Sequence, residues 1–293
     1  MTATTVERVG ARPATRIQRV RSRLNPTLAV GLGLLAVVIV IAFVVPLLSP
    51  YETDEIRAGD ALSAPSSEHW LGADNLGRDI LVRVADGYRI SLSVAVGSVA
   101  LALLVGLPLG LIAGYAGGWI DNLVMRPLDV LMAFPAILLA ITVMAIFGTG
   151  VAVLLPAIGI VYVPIIARVM RASTLATRRE LFVEAARARG ASRWRIVVRH
   201  VLPNSVGPVT VQASILMGIA ILLEAALSFI GLGVRPPTPS LGLMLSDGRD
   251  FMANSAWVVA APGIAIMVLV LAFNLIGDGL HDWLDPRGRA RPR

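Results

Sequence analysis

No charged residue interrupts residues 24–51, 90–120 or 130–167. Apolar runs of this length constrain the fold more than any other feature. About 20 apolar helical residues bridge the hydrocarbon core of a bilayer. The third run is too long for one crossing, and Gly148-Thr149-Gly150 interrupts it. The pattern predicts six membrane-spanning helices over 28–48, 91–115, 123–147, 151–170, 205–227 and 257–276. The composition agrees: 56% of residues are hydrophobic and only 15% are charged, too few charges to cover the surface of a soluble domain.

The 26 basic residues are all Arg, and their placement predicts the orientation. In a six-span arrangement, the Arg residues of 1–23, 168–203 and 287–293 fall on one side together with Arg126. The other side receives only Arg57, Arg78, Arg83, Arg89, Arg235 and Arg249. The side rich in basic residues is the cytoplasmic one. Both termini are therefore expected in the cytoplasm, and the net charge of +7 serves topology rather than nucleic-acid binding. The expected organisation is a basic N-terminal arm (1–26), a first span (27–48), an external loop (49–89), a transmembrane domain (90–280) containing an internal loop (171–204), and a cytoplasmic tail (281–293). The charged N-terminal arm is long, the first span is full length, and Pro46 to Pro50 offers no small-x-small cleavage site, so the N-terminus reads as a retained anchor.

The residue inventory excludes several chemistries. Without Cys there is neither a disulfide framework nor a thiolate metal site. Without Lys there is neither a phosphate-gripping P-loop nor a Schiff base. His69, His200 and His281 lie far apart and read as ordinary polar residues. A membrane-bound enzyme would need a cluster of catalytic groups that this chain does not supply. An ion-coupled carrier would need ionisable groups at mid-membrane, where the predicted spans have almost none.

The internal loop is the most informative segment. Residues 179–189 are good helix formers, with Glu180 and Glu184 near the start, where the helix dipole favours negative charge. Gly190 is suited to a left-handed stop. Ser192 can cap a second helix, with Trp194, Ile196, Val197, Val201 and Leu202 as its apolar set and Pro203 as its end. Helix, tight turn and helix make a protruding knob, a shape that inserts into a groove on a partner. The competing reading is an Arg-rich amphipathic linker resting on anionic lipid.

Within this loop, Glu184-Ala185-Ala186, Gly190 and Leu202-Pro203 match the pattern E-A-A-x3-G-x9-I-x-L-P. The segment thereby resembles the permeases of binding-protein-dependent ABC importers. It departs from the pattern at His200, where the family has Ile, and Val201 is expected to supply the apolar contact. Arg199-His200-Val201-Leu202-Pro203-Asn204 is similar to the peptide-transport variant. The stretch from His69 to Asp79, Leu227–Gly233 with Pro236-Pro237-Thr238-Pro239-Ser240, and Gly277-Asp278-Gly279-Leu280 with Leu284-Asp285-Pro286-Arg287 resemble segments of dipeptide, oligopeptide and nickel importers. A first span followed by a long external loop is similar to the C-type member of the permease pair. The likeness covers about residues 25–288.

The resemblance implies an all-α integral membrane protein of the type I importer permease fold, in a bacterial plasma membrane. It implies no catalysis and no cofactor in this chain. ATP and Mg would be bound by one or two partner ATPases, beside a second permease and an external substrate-binding protein. It also assigns coupling to the ATPase to Glu184, Ala185, Ala186, Gly190, Ala191, Trp194, Leu202 and Pro203. Dipeptides or short oligopeptides are the implied cargo, with nickel chelates and haem as alternatives within the same branch. Candidate pore-lining groups are Thr210, Gln212, Ser214 and Glu224. Glu224 either faces a cavity or partner or is solvated near the external surface. Asp74, Arg78 and Asp79 are expected to cap helices or pair locally, and Arg126 is expected to pair with Asp129.

Overall fold

The computed structural model describes residues 25–284. The described residues form helices and no strand. Five helices are long and apolar enough to cross a membrane: α1 (Pro26–Leu48), α2 (Ile80–Ala116), α5 (Val151–Thr177), α8 (Leu202–Phe229) and α10 (Trp257–Leu284). A sixth crossing exists only if α3 (Gly118–Met132) and α4 (Ala136–Phe147) are taken as one. Three short helices complete the set: α6 (Leu181–Ala188), α7 (Arg193–Ile196) and α9 (Leu241–Gly248).

The straight third span expected over 123–147 is not what forms. Its residues belong to α3 and α4, which meet at 88°. Pro135 is the physical reason, since it cannot donate to a continuing helix and drives the residue before it out of the helical region. The Gly148–Gly150 break appears as expected, with φ of +94° at Gly148 and +118° at Gly150.

The helices also exceed the predicted spans. α2 begins at Ile80 rather than Ser91, so the last ten residues of the expected 49–89 loop are helical. At about 1.5 Å per residue, its 37 residues run well past a hydrocarbon core of about 30 Å. Arg83 and Arg89 sit in the first turns, where that excess can lie outside the core. Asp79 caps this helix, its carboxylate accepting from Val82 N at 2.9 Å. The other oxygen of Asp79 meets Nδ1 of His69 at 2.9 Å. Asp74 accepts from Nε of Arg78 at 2.7 Å. These are the local caps and pairs expected of the segment, and they fold the 49–79 loop against the buried Arg83.

Packing depends on small residues, as expected where apolar contact alone does not distinguish neighbour from lipid. Gly106, Gly110 and Gly114 repeat every four residues on α2. A Cβ at these positions would lie 2.7 Å from the carbonyl oxygen of Val163, 2.2 Å from that of Ala167 and 2.7 Å from that of Arg171. Those partners also repeat every four residues on α5, so the two helices lie backbone to backbone along a seam. α1 meets α10 in the same manner, through Gly31 against Ile276 and Gly279 against Leu28. Away from these seams Leu32, Val37, Val40, Phe43, Leu47 and Leu48 of α1 are exposed. An apolar face of this extent is abnormal for a soluble protein and normal for one solvated by lipid.

Candidate functional site

The helix–turn–helix expected between the fourth and fifth predicted spans is present. α6 covers residues 181–188, Gly190 takes φ +78°, and the Ser192 hydroxyl accepts from Arg195 N at 3.3 Å to start α7. The turn needs Gly190 for its backbone conformation, because a Cβ there would meet nothing within 4 Å. The second helix does not stop at Pro203. It passes through a π-helical turn, Val197–Val201, directly into α8, where Pro203 occupies the first turn. Pro203 has no N–H to donate to a continuing helix, and the π-helical turn immediately before it is where the hydrogen-bond pattern shifts. The knob is thus continuous with a membrane helix.

Its interior is small and apolar. Val183, Ala186, Ile196 and Val201 form a buried cluster against Leu111 and Tyr115 near the end of α2. Val201 takes the buried position next to half-buried His200. The knob is held again from α5: Arg178 donates from one guanidinium nitrogen to the carbonyls of Gly114 at 2.9 Å and Tyr115 at 3.0 Å. α2, α5 and the knob therefore meet at one end of the bundle.

The outer face is different. Trp194, expected in the apolar set of the second helix, is 76% exposed, and Leu181 is 80% exposed. Phe182, Glu184, Ala185 and Gly190 are exposed as well, Ala191 and Leu202 are half-buried, Pro203 is exposed, and Ala186 is buried. A cleft of about 700 Å³ lies between Tyr115–Ala116 and Arg187, Ala191, Arg193 and Trp194. Large apolar side chains are exposed on an arginine-rich protrusion, the composition of protein interfaces in which apolar anchors sit within a charged rim.

The four pore candidates do not converge. Thr210 and Ser214 use their hydroxyls within α8, donating to the carbonyls of Val206 and Thr210 at 3.2 Å each. Gln212 lies about 200° around the helix from Thr210. Glu224 stands about 21 Å further along and is 0% exposed, so it is not solvated in this conformation. Ser91 of α2 donates to one of its oxygens at 2.7 Å, and Ser228 to the other at 2.9 Å. Ser240, at the start of α9, is a third hydroxyl bonded to it. Glu224 thus ties α2, α8 and α9 together. Gly233 and Gly242 permit the closeness, since a Cβ on either would fall 2.1 Å from Ser228 Oγ or Ala225 O. On α9 itself, burial lifts the carboxyl of Asp247 above the ordinary aspartate range, against the pull of Arg78 and Arg83.

Sequence reasoning missed the ion pairs that join α3 to α5. Asp129 pairs with Arg168 of α5 at 2.6 Å rather than with Arg126. Asp121 accepts from Nε and a terminal nitrogen of Arg171, both at 2.5 Å. Among the described residues no three His, Asp or Glu side chains could together hold a metal ion.

Comparison with known proteins decides the family. Residues 106–290 match the family described as "Binding-protein-dependent transport system inner membrane component". The chain belongs to this family. Over 263 residues it is 48% identical to the dipeptide transport system permease protein DppC of Alkalihalophilus pseudofirmus, covering 90% of this chain and 86% of that protein. It is 45% identical over 269 residues to the glutathione transport system permease protein GsiD of Pectobacterium atrosepticum, covering 91% and 89%. An inward-facing structure of the MetNI methionine ABC transporter superposes with a TM-score of 0.57 at 20% identity, covering 69% of this chain and 96% of that one. A structure of an amino acid ABC transporter gives 0.55 at 16% identity, covering 69% and 94%. The chain is therefore a multi-pass inner-membrane permease of an ABC import system, with the fold of such permeases, and not itself an enzyme.

Proposed function

We propose that this permease forms half of a pathway for dipeptides and short peptides, glutathione included, delivered by an external substrate-binding protein. The substrate class follows the two relatives, permeases of a dipeptide and of a glutathione transport system, glutathione being a tripeptide. The second half of the pathway is a homologous permease. ATP and Mg are bound by one or two partner ATPases, and the knob of residues 181–203 is the surface they grip. The chain crosses the membrane six times, α3 and α4 together making one crossing, with both ends in the cytoplasm. Thr210, Gln212 and Ser214 are the α8 groups nearest to serving the pathway, while Glu224 serves it indirectly by joining helices.

One observation carries the coupling role. Leu181, Phe182 and Trp194 are exposed on a knob whose interior is fixed to α2 and continuous with α8. A partner gripping this face moves the helices with it. ATP shifts the arrangement because it binds better when the ATPases are together; a ligand with equal affinity for both states would shift nothing. The test is Glu184→Lys in the tagged chain, with quantitation of the ATPase that co-purifies. The expected result is a marked loss of ATPase with normal membrane insertion. Undiminished co-purification contradicts the assignment.

A further inference from the structure

The weakly held part of this end of the bundle is α3. It leaves α2 through Gly117 and Gly118, with φ of +67° and +59°, and ends at the 88° bend into α4. Only Met125 and Leu128 of α3 are buried. These two side chains share a face with Asp121 and Asp129, at spacings of four, seven and eight residues from Asp121. Both carboxylates on that face meet arginines of α5. The Arg168–Asp129 pair is half exposed on both sides, and such pairs contribute little. The Arg171–Asp121 pair is more enclosed and two-pronged, with both bonds at 2.5 Å. The planar guanidinium fork suits this geometry, giving direction as well as attraction.

Arg171 also belongs to the rigid seam, since its carbonyl oxygen would lie 2.7 Å from a Cβ at Gly114. Seven residues further on, Arg178 holds the carbonyls at the end of α2, against which the knob packs. The same helix thus grips the knob's support and, through Arg171, the first turn of α3. We propose that Arg171 and Asp121 form a strut that makes α3 follow α5 whenever the knob is moved. They are positioning residues, acting through the helices they join. The proposal rests on the reading of the knob as the ATPase contact.

The experiment uses the assembled transporter with its partner permease and ATPases, the partners' accessible thiols having been replaced. The chain has no Cys of its own. Spin labels at Val130→Cys on α3 and Ala176→Cys on α5 report the distance between the two helices in the nucleotide-free state and after trapping with ATP and vanadate. With the native pair, one narrow distance is expected in both states. Asp121→Asn and Arg171→Gln are expected to lose the single distance, and Asp121→Arg with Arg171→Asp to restore it. ATPase co-purification should be unchanged in every variant, which separates a failed strut from a misfolded chain. Uptake of radiolabelled alanyl-alanine and glutathione per ATP hydrolysed should fall about tenfold in the single variants, within the usual range of coupling between sites, and Asp121→Glu should retain most of it. A native distance that changes on trapping, or one that ignores loss of the pair, overturns the strut. Failure of the knob reading would show separately, as ATPase binding that ignores Glu184→Lys.

Discussion

The glycine seam between α2 and α5 makes a demand that can be measured. In Gly110→Ala the new Cβ would lie 2.2 Å from the carbonyl oxygen of Ala167, 2.8 Å from Cβ of Met170 and 2.9 Å from the carbonyl carbon of Ala167. Two of these are backbone atoms and cannot swing aside, so the helices must part by roughly 1 Å to regain ordinary contact distance. Overpacking of a well-filled interface costs typically about 1–3 kcal/mol. The upper end applies here because the obstacle is backbone, and about 3 kcal/mol corresponds to more than a hundredfold in equilibrium. Part of this is offset by the better helix propensity of Ala, worth about 1 kcal/mol. A net loss of about 2 kcal/mol is therefore expected, read as a lowered unfolding midpoint of the detergent-solubilised chain. Gly33→Ala on exposed α1 is the control, since nothing lies within 4 Å of its new Cβ. It should be neutral or slightly stabilising. If both variants unfold alike, the backbone-to-backbone seam is not what holds α2 to α5.

Three further outcomes follow from the site. Gly190→Val should introduce about 1–2 kcal/mol of left-handed backbone strain without a steric clash, and lower peptide uptake per ATP hydrolysed, whereas Gly190→Asn should be tolerated. Trp194→Ala should leave the unfolding midpoint within about 0.5 kcal/mol of native, as for exposed positions, yet weaken ATPase binding by about 2 kcal/mol, as loss of an aromatic anchor does; a binding titration against the purified ATPase reads it. Glu224→Leu should cost about 2–5 kcal/mol by stranding the buried hydroxyls of Ser91 and Ser228, measured by thermal unfolding, while Glu224→Gln should keep most of the stability.

What was legible in the sequence was what local chemistry determines. The apolar runs located α1, α5, α8 and α10, and Gly190 and Ser192 located the turn of the knob, because stop and cap signals act within a few residues. The bend between α3 and α4 was harder to read. Pro135 lies in a charge-free stretch that also contains Pro156 and Pro164, and α5 absorbs both of those within one helix. Membrane helices tolerate proline when neighbours satisfy the freed carbonyls, so sequence alone does not say which proline breaks the chain. Pro203 misled in the opposite direction, read as an end although a π-helical turn carries the chain through it. Trp194 was counted with the apolar set because its spacing fits, whereas its exposure follows from how the knob sits on α2. The tertiary ties were out of reach for a plainer reason. Asp121 and Arg171 are 50 residues apart, Ser91 and Glu224 are 133 apart, and no local pattern pairs them.

We propose that this chain works as one membrane subunit of an ATP-driven peptide importer, gripped through its knob. The most direct test is purification of a tagged copy from its native membrane in mild detergent, with mass spectrometry of the proteins that accompany it. A second permease of the same family and one or two P-loop ATPases are expected, with the ATPases alone lost when Glu184 becomes Lys. An intact chain that reproducibly emerges alone, or only with copies of itself, would contradict it.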